Sequence, residues 1–112
     1  MAKVIINVAA CLKAAFRDGD IIFRLGGDEF AAYARNVHQI ETADKVIKRF
    51  IDGLKTISIP ELEENSIHAS IGAMVLPEGL VRDFATCYKL VDDCVYVSKK
   101  TDGRSAVTFA QI

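Results

Sequence analysis

Apolar residues recur at helical spacing through the opening segment, where Ile5, Val8, Leu12 and Phe16 form one stripe and Lys3, Asn7 and Lys13 lie off it. Asp18-Gly19-Asp20 predicts a stop, because glycine readily takes the left-handed helix terminus and aspartate favours turns. Two short apolar runs, Ile21 to Leu25 and Phe30 to Ala34, flank Gly26-Gly27-Asp28 and predict a β-hairpin. The next segment is the most regular. Ala43, Val46, Ile47, Phe50, Ile51 and Leu54 share one helical face, while Asp44, Lys45, Lys48 and Arg49 stay wet. Pro60 and the acidic Glu61-Leu62-Glu63-Glu64 stretch predict a loop. Ile67, Ala69, Ile71, Ala73 and Val75 then alternate with His68, Ser70, Gly72 and Met74, a strand pattern that Pro77-Glu78-Gly79 ends. A third helix starts at Asp83, its N-cap, with Phe84, Cys87, Val91, Cys94 and Val95 inward. Asp102-Gly103 turns the chain into a last short strand, Ala106 to Ala110.

Helix, hairpin, helix, strand, helix, strand is an order that favours an α+β or α/β layer, with helices packed on a mostly antiparallel sheet. The opening helix has no preceding strand to cross over from. At 112 residues, without repeat or linker, residues 1–112 read as a single domain. An apolar fraction of 51% and a charged fraction of 26% exclude a disordered chain, and no apolar run approaches a bilayer span. No signal-peptide pattern opens the chain, so the expected setting is cytoplasmic, without membrane contact from this segment, the alternative being a parent protein tethered to a membrane through other domains. A net charge of −1 gives no overall basic field, which argues against a nucleic-acid duplex as main partner. Cys11, Cys87 and Cys94 lack zinc-ligand spacing and read as reduced residues. His38 and His68 have no partner at ligand spacing, and the Phe and Tyr residues read as core stripes rather than a stacking platform.

Arg24-Leu25-Gly26-Gly27-Asp28-Glu29-Phe30 is the stretch that carries chemistry. Consecutive glycines at a hairpin tip permit positive φ and let backbone N–H groups approach a bulky anion. The two carboxylates that follow are the hard oxygen ligands that Mg²⁺ needs when it also holds substrate phosphates. Phosphate cradle plus metal carboxylate suits phosphoryl transfer. On local chemistry alone, an ordinary hairpin turn with solvated acids explains the same residues.

This stretch resembles the signature of the GGDEF family, the diguanylate cyclases, and the resemblance runs along the whole chain. Arg17-Asp18-Gly19-Asp20 resembles the family's RxxD inhibitory motif at its usual distance before the glycines. Val8-Ala9 and Leu12 resemble the preceding helix, and Ser70-Ile71-Gly72 the conserved strand. Asp92, Tyr96 and Lys99 resemble a late D-x-x-x-Y-x-x-K pattern, and Gly103-Arg104 the closing Gly-Arg. An extra residue before Gly103 leaves Lys99 and Lys100 both eligible, and Ser105 stands where the family usually has Asn. The family's upstream strand with a metal-binding Asp, and the Asn and Asp that read guanine, have no counterpart; Met1-Ala2 falls near the latter. The chain thus resembles the later portion of a GGDEF domain, truncated at its N-terminus.

The resemblance implies a nucleotide-cyclase or polymerase-palm-like sheet that joins two GTP into cyclic di-GMP and releases pyrophosphate. It implies Mg²⁺ or Mn²⁺ held by Asp28 and assisted by Glu29. Successive strand side chains point to opposite faces, so these two do not ligate identically. Gly26 and Gly27 admit the phosphates, Lys99 or Lys100 with Arg104 neutralises them, and Arg17 with Asp20 binds cyclic di-GMP as inhibitor. Plain alternatives are a solvated helix end for the late cations and a surface ion pair for Arg17 and Asp20. Each catalytic domain of the family holds one GTP, which implies a homodimer, and unpaired strand edges favour a dimer or larger oligomer. A chain without the upstream motifs is expected to be inactive alone. The alternative functions are a non-catalytic cyclic di-GMP-binding or interaction module, and a fragment without ligand.

Overall fold

The computed structural model describes residues 2–63, 66–80, 82–101 and 104–111. Met1, Glu64 and the Asp102-Gly103 turn, with its Gly103 of the closing motif, lie outside them. In chain order the elements are α1 (Ala2–Ala15), β1 (Ile21–Gly26), β2 (Glu29–Tyr33), α2 (Ile40–Lys55), β3 (Ser70–Ala73), α3 (Phe84–Ser98) and β4 (Ala106–Phe109). Their order is the one the hydrophobic pattern predicts.

Leu12 and Ala15 of α1 pack with Phe50 and Leu54 of α2 to form the buried centre. Ile22, Phe30, Ile67, Ala69 and Ile71 close onto it from the strand side. The odd positions 67, 69 and 71 therefore face α1 and α2, as alternation requires. Gly72, on the opposite face of β3, meets α3. Helices thus cover both faces of the strand layer.

One expectation fails. Instead of a mostly antiparallel sheet there are two separate strand pairs, β1–β2 antiparallel and β3–β4 parallel. The parallel pair follows from α3, a helical crossover of the kind that returns the chain in the same direction. Among the described residues no strand bridges the two pairs. The ladder of β3 spans only four residues because β4 is no longer than that. Backbone bonds from Ala106 N–H to Ala69 O and from Ala110 N–H to Ala73 O mark its two ends.

Two features lock α3 to the β3–β4 pair. A Cβ at Gly72 would collide with the Val91 carbonyl and lie 2.9 Å from Val95 N and 3.0 Å from Cys94 Cβ. Only a hydrogen fits there. Ser98, 2% exposed, donates from Oγ to the Ile71 carbonyl at 2.9 Å and lies 2.7 Å from Thr108 Oγ1. Ser105 Oγ accepts from Ala69 N–H at 3.0 Å and ties the start of β4 to the approach to β3. Asp83 caps α3 through Thr86 N–H, as predicted.

Phe84 is not inward as expected: it directly follows the cap as the first residue of α3 and is 64% exposed. It stacks on Tyr88 with centroids 5.8 Å apart and lies 6.4 Å from the Phe23 ring. Phe16, Phe30 and Phe50 do belong to the core, but Tyr33, Phe84 and Tyr96 are exposed, so the reading of all aromatics as core stripes is corrected. Lys3 pairs with Glu61 at 3.1 Å and holds that exposed carboxyl below its ordinary range.

Replacing Gly72 with alanine is expected to lower stability by about 2–3 kcal/mol, the usual cost of forcing a methyl into packed backbone. Gly53→Ala is the contrast. Its Cβ meets chiefly the Cys11 thiol, at 3.3 Å, and alanine gains about 1 kcal/mol of helix propensity over glycine. Urea unfolding of both variants checks the pair, and equal midpoints would refute the close-approach argument.

Candidate functional site

The hairpin tip is built by backbone rules. Ile21 pairs with Tyr33, Ile22 with Ala32, Phe23 with Ala31 and Arg24 with Phe30. The register then shifts, leaving Leu25 as a bulge before Gly26 meets Glu29. Gly26 and Gly27 take φ of 151° and 53°, and neither has a neighbour where a Cβ would sit. It is therefore conformation, not crowding, that calls for glycine at these two positions. Asp28 and Glu29 are exposed, and neither takes part in an ion pair among the described residues. Their oxygens are free to meet a cation. Arg24, which sequence reasoning left without a role, donates from Nε to the Gly27 carbonyl at 2.8 Å.

Asp20 is more than half of a surface pair. Its Oδ2 accepts from Arg17 N–H at 3.0 Å and its Oδ1 from Arg35 N–H at 3.3 Å. It thereby ties the end of α1 to the end of β2. The Arg17 guanidinium is exposed and makes no ion pair with Asp20. Both residues line a cleft of about 540 Å³ between the α1–β1 turn and α2, together with Asn36, Lys45, Lys48 and Arg49. Four cations face two carboxylates there, Asp20 and Asp52, and Lys48 also pairs with Asp44 at 3.0 Å. Sequence reading assigned the α2 cations only to a wet face. Their signal was present: Lys45, Lys48 and Arg49 recur at three- and four-residue steps, but nothing linear showed that this face meets Arg17.

At the end of α3, Lys99 is the C-cap residue and Lys100 places its Nζ 5.1 Å over the Tyr96 ring. Both are exposed, as are Arg104 and Asp92. Lys100 is engaged by the ring face, which leaves Lys99 as the less restrained cation. The described residues contain no group of three or more His, Cys, Asp or Glu side chains able to cage a metal. Asp28 and Glu29 fit a lesser part, the one or two carboxylates that Mg²⁺ takes when water and substrate phosphates complete its shell. His38 Nδ1 lies 3.1 Å from the Leu76 carbonyl. Burial raises the thiol pKa of Cys11 and of Cys94, with the Asp93 charge adding to the second, so neither is an activated nucleophile. No helix among the described residues is long and apolar enough to cross a membrane.

The sequence profile described as diguanylate cyclase, GGDEF domain, matches residues 2–105. A comparison with curated proteins returns no match. Among solved structures, the isolated GGDEF domain of YfiN (TpbB) from Pseudomonas aeruginosa superposes with a TM-score of 0.80 at 24% identity. That match covers 97% of this chain and 63% of the YfiN chain. A second structure of the YfiN GGDEF domain gives 0.73 at 18% identity, over 99% of this chain and 68% of the other. Diguanylate cyclase SiaD from the same organism, in complex with its activator SiaC, gives 0.68 at 17% identity, over 96% of this chain and 40% of SiaD. The chain therefore spans less than two thirds of the length of the first of these structures, and at such identities the likeness is one of fold. It matches GGDEF domains and agrees with a shortened palm-like α+β sheet.

The two members of the Arg17–Asp20 motif should separate in stability measurements. Asp20→Ala removes the acceptor of two backbone N–H groups and is expected to cost about 1–2 kcal/mol. Arg17→Ala, at an exposed side chain without an ion-pair partner among the described residues, is expected to change stability by less than about 0.5 kcal/mol. Thermal or urea unfolding reads both. Equal losses would mean that the carboxylate does not hold the turn.

Proposed function

The chain belongs to the diguanylate cyclase GGDEF domain family, and from that premise we propose that it is the later part of a domain condensing two GTP into cyclic di-GMP. The observation that carries this reading is the glycine tip, whose two positive-φ residues open directly onto two exposed carboxylates. In the proposed reaction a 3′-hydroxyl of one GTP attacks the α-phosphorus of a second. A P–O bond forms, pyrophosphate leaves, the hydroxyl proton passes to solvent or base, and a repeat closes the ring. Bound Mg²⁺ or Mn²⁺ would supply charge neutralisation and lower the cost of the attacking alkoxide. Asp28 would be the first ligand for that ion and Glu29 its support, while Gly26 and Gly27 would let phosphate oxygens close on the backbone. Lys99 or Lys100 and Arg104 neutralise the remaining phosphate charge. Two domains must face each other, each presenting one GTP, so the assembly that acts is a homodimer.

No acidic residue precedes Asp18 in these 112 residues, so the upstream metal carboxylate known in the family is not among them. The chain alone is accordingly inactive in this proposal. A second reading has its own support in the cationic cleft at Arg17: a module that binds cyclic di-GMP without catalysis. A planar guanidinium can pair bidentately with phosphate or a guanine edge, and the Lys45, Lys48 and Arg49 cations favour a dianionic ligand. The SiaD structure holds an activator protein, and a regulatory partner for the present chain belongs to the same proposal.

Calorimetric titration of the chain with Mg²⁺–GTP and separately with cyclic di-GMP tests these readings. Binding of both, with no cyclic product by chromatography, is the expected result. Binding of cyclic di-GMP alone would favour the module, and binding of neither would remove both. Arg17→Ala is expected to weaken cyclic di-GMP binding by about tenfold or more, while Mg²⁺–GTP binding stays the same. In a protein joining this chain to the family's upstream metal motif, Asp28→Ala is expected to slow cyclisation about a thousandfold. Near-normal turnover would refute the metal role.

A further inference from the structure

Two glycines in succession create a problem at the tip. Each has a wide choice of backbone conformation; Gly26 is paired with Glu29, but no described side chain packs within 4 Å of where a Cβ of either glycine would sit. A loop so free would not present Asp28 in one orientation. Among the described residues, the one side-chain hydrogen bond that reaches the tip comes from Arg24, whose Nε lies 2.8 Å from the Gly27 carbonyl oxygen. The bulge supplies the reach. Leu25 drops out of register between the Arg24–Phe30 and Gly26–Glu29 pairs, which folds the strand back so that residue 24 can address residue 27.

Peptide planarity gives this bond a consequence. The Gly27 carbonyl and the Asp28 N–H belong to one trans peptide and point in opposite directions. We infer that Arg24 is a positioning residue: by holding the Gly27 carbonyl toward itself, it turns the Asp28 N–H to the other side, as a donor for a phosphoryl oxygen. The guanidinium acts through the backbone and does not itself need to touch the ligand. This rests on the nucleotide reading of the tip, and the Asp28 N–H adds a neutral donor beside the Asp28 carboxylate. A phosphate oxygen and a cation can then meet at the same residue.

Glutamine separates bracing from charge, because its Nε2 sits the same number of bonds from Cα as the arginine Nε. Arg24→Gln keeps an N–H for the Gly27 carbonyl and loses the charge; Arg24→Met loses both. Amide spectra of the ¹⁵N-labelled chain and calorimetry with Mg²⁺–GTP are the two readouts. The methionine variant is expected to move the Asp28 and Glu29 amide resonances and to weaken Mg²⁺–GTP binding about tenfold. The glutamine variant should restore both, with α1 and α2 resonances unchanged throughout. If methionine matches the original chain, or if glutamine behaves as methionine does, the positioning role is overturned. Absence of Mg²⁺–GTP binding in the unmodified chain would refute the nucleotide reading alone, and the amide resonances would still decide the role of Arg24.

Discussion

The seat of α3 on β3 is the constraint on which much of the architecture depends. A helix normally keeps the thickness of its side chains between its backbone and a strand, but Gly72 brings backbone to backbone at Val91 and Val95. That closeness lets Ser98 reach both the Ile71 carbonyl and Thr108, so one buried hydroxyl joins helix and both strands of the parallel pair. Without the close approach the hydroxyl would be a buried polar group in search of a partner, at a cost of about 1–3 kcal/mol. The glycine and the serine therefore depend on each other. They also place the late cations, because Lys99 and Lys100 follow Ser98 directly.

The hairpin is held quite differently. Ile22 and Phe30 reach the α1–α2 core from one face, while Phe23 meets Phe84 across the other. Its far end is free of both and depends on backbone conformation plus one arginine. A rigid root with an exposed tip suits a group that must meet ligand and cation from solvent. The Arg17–Asp20 turn stands at the root, where Asp20 accepts from the N–H groups of Arg17 and Arg35. The same carboxylate is thus a fastener of the fold and a wall of the cationic cleft.

How far these arrangements are legible in the sequence depends on the range of the interaction. Local periodicity places every helix and strand, the Asp83 cap and the inward face of β3. It does not separate the strands into two pairs, since strand pairing is a long-range choice that alternation alone does not encode. Phe84 misleads because a capping residue fixes where a helix starts, not what its first turn will cover. Ser98 gives no linear sign of burial; its polar side chain reads as exposed until the Ile71 carbonyl is known to lie above it. The Gly-Gly-Asp-Glu tip and the RxxD spacing are readable because their chemistry is contiguous. The α2 cations of the cleft are not, because Arg17 and Arg49 meet only after α1 and α2 have packed.

Charge gives the last step. The chain is almost neutral overall, so no long-range field steers anions to it. Selectivity between ligands must come from local arrangement, and the two candidate sites are built in opposite senses. The tip offers carboxylates and has the Arg24 guanidinium tied to a carbonyl, so in the proposed reading it takes a phosphate that arrives with a divalent cation. The cleft gathers Arg17, Lys45, Lys48 and Arg49 around Asp20 and Asp52, so in the same reading it takes an anion that arrives without one. A metal-bound triphosphate and a metal-free cyclic dinucleotide differ in that respect. In the proposed reading the sign of charge at each site holds the two apart, with the β1–β2 hairpin running from one to the other.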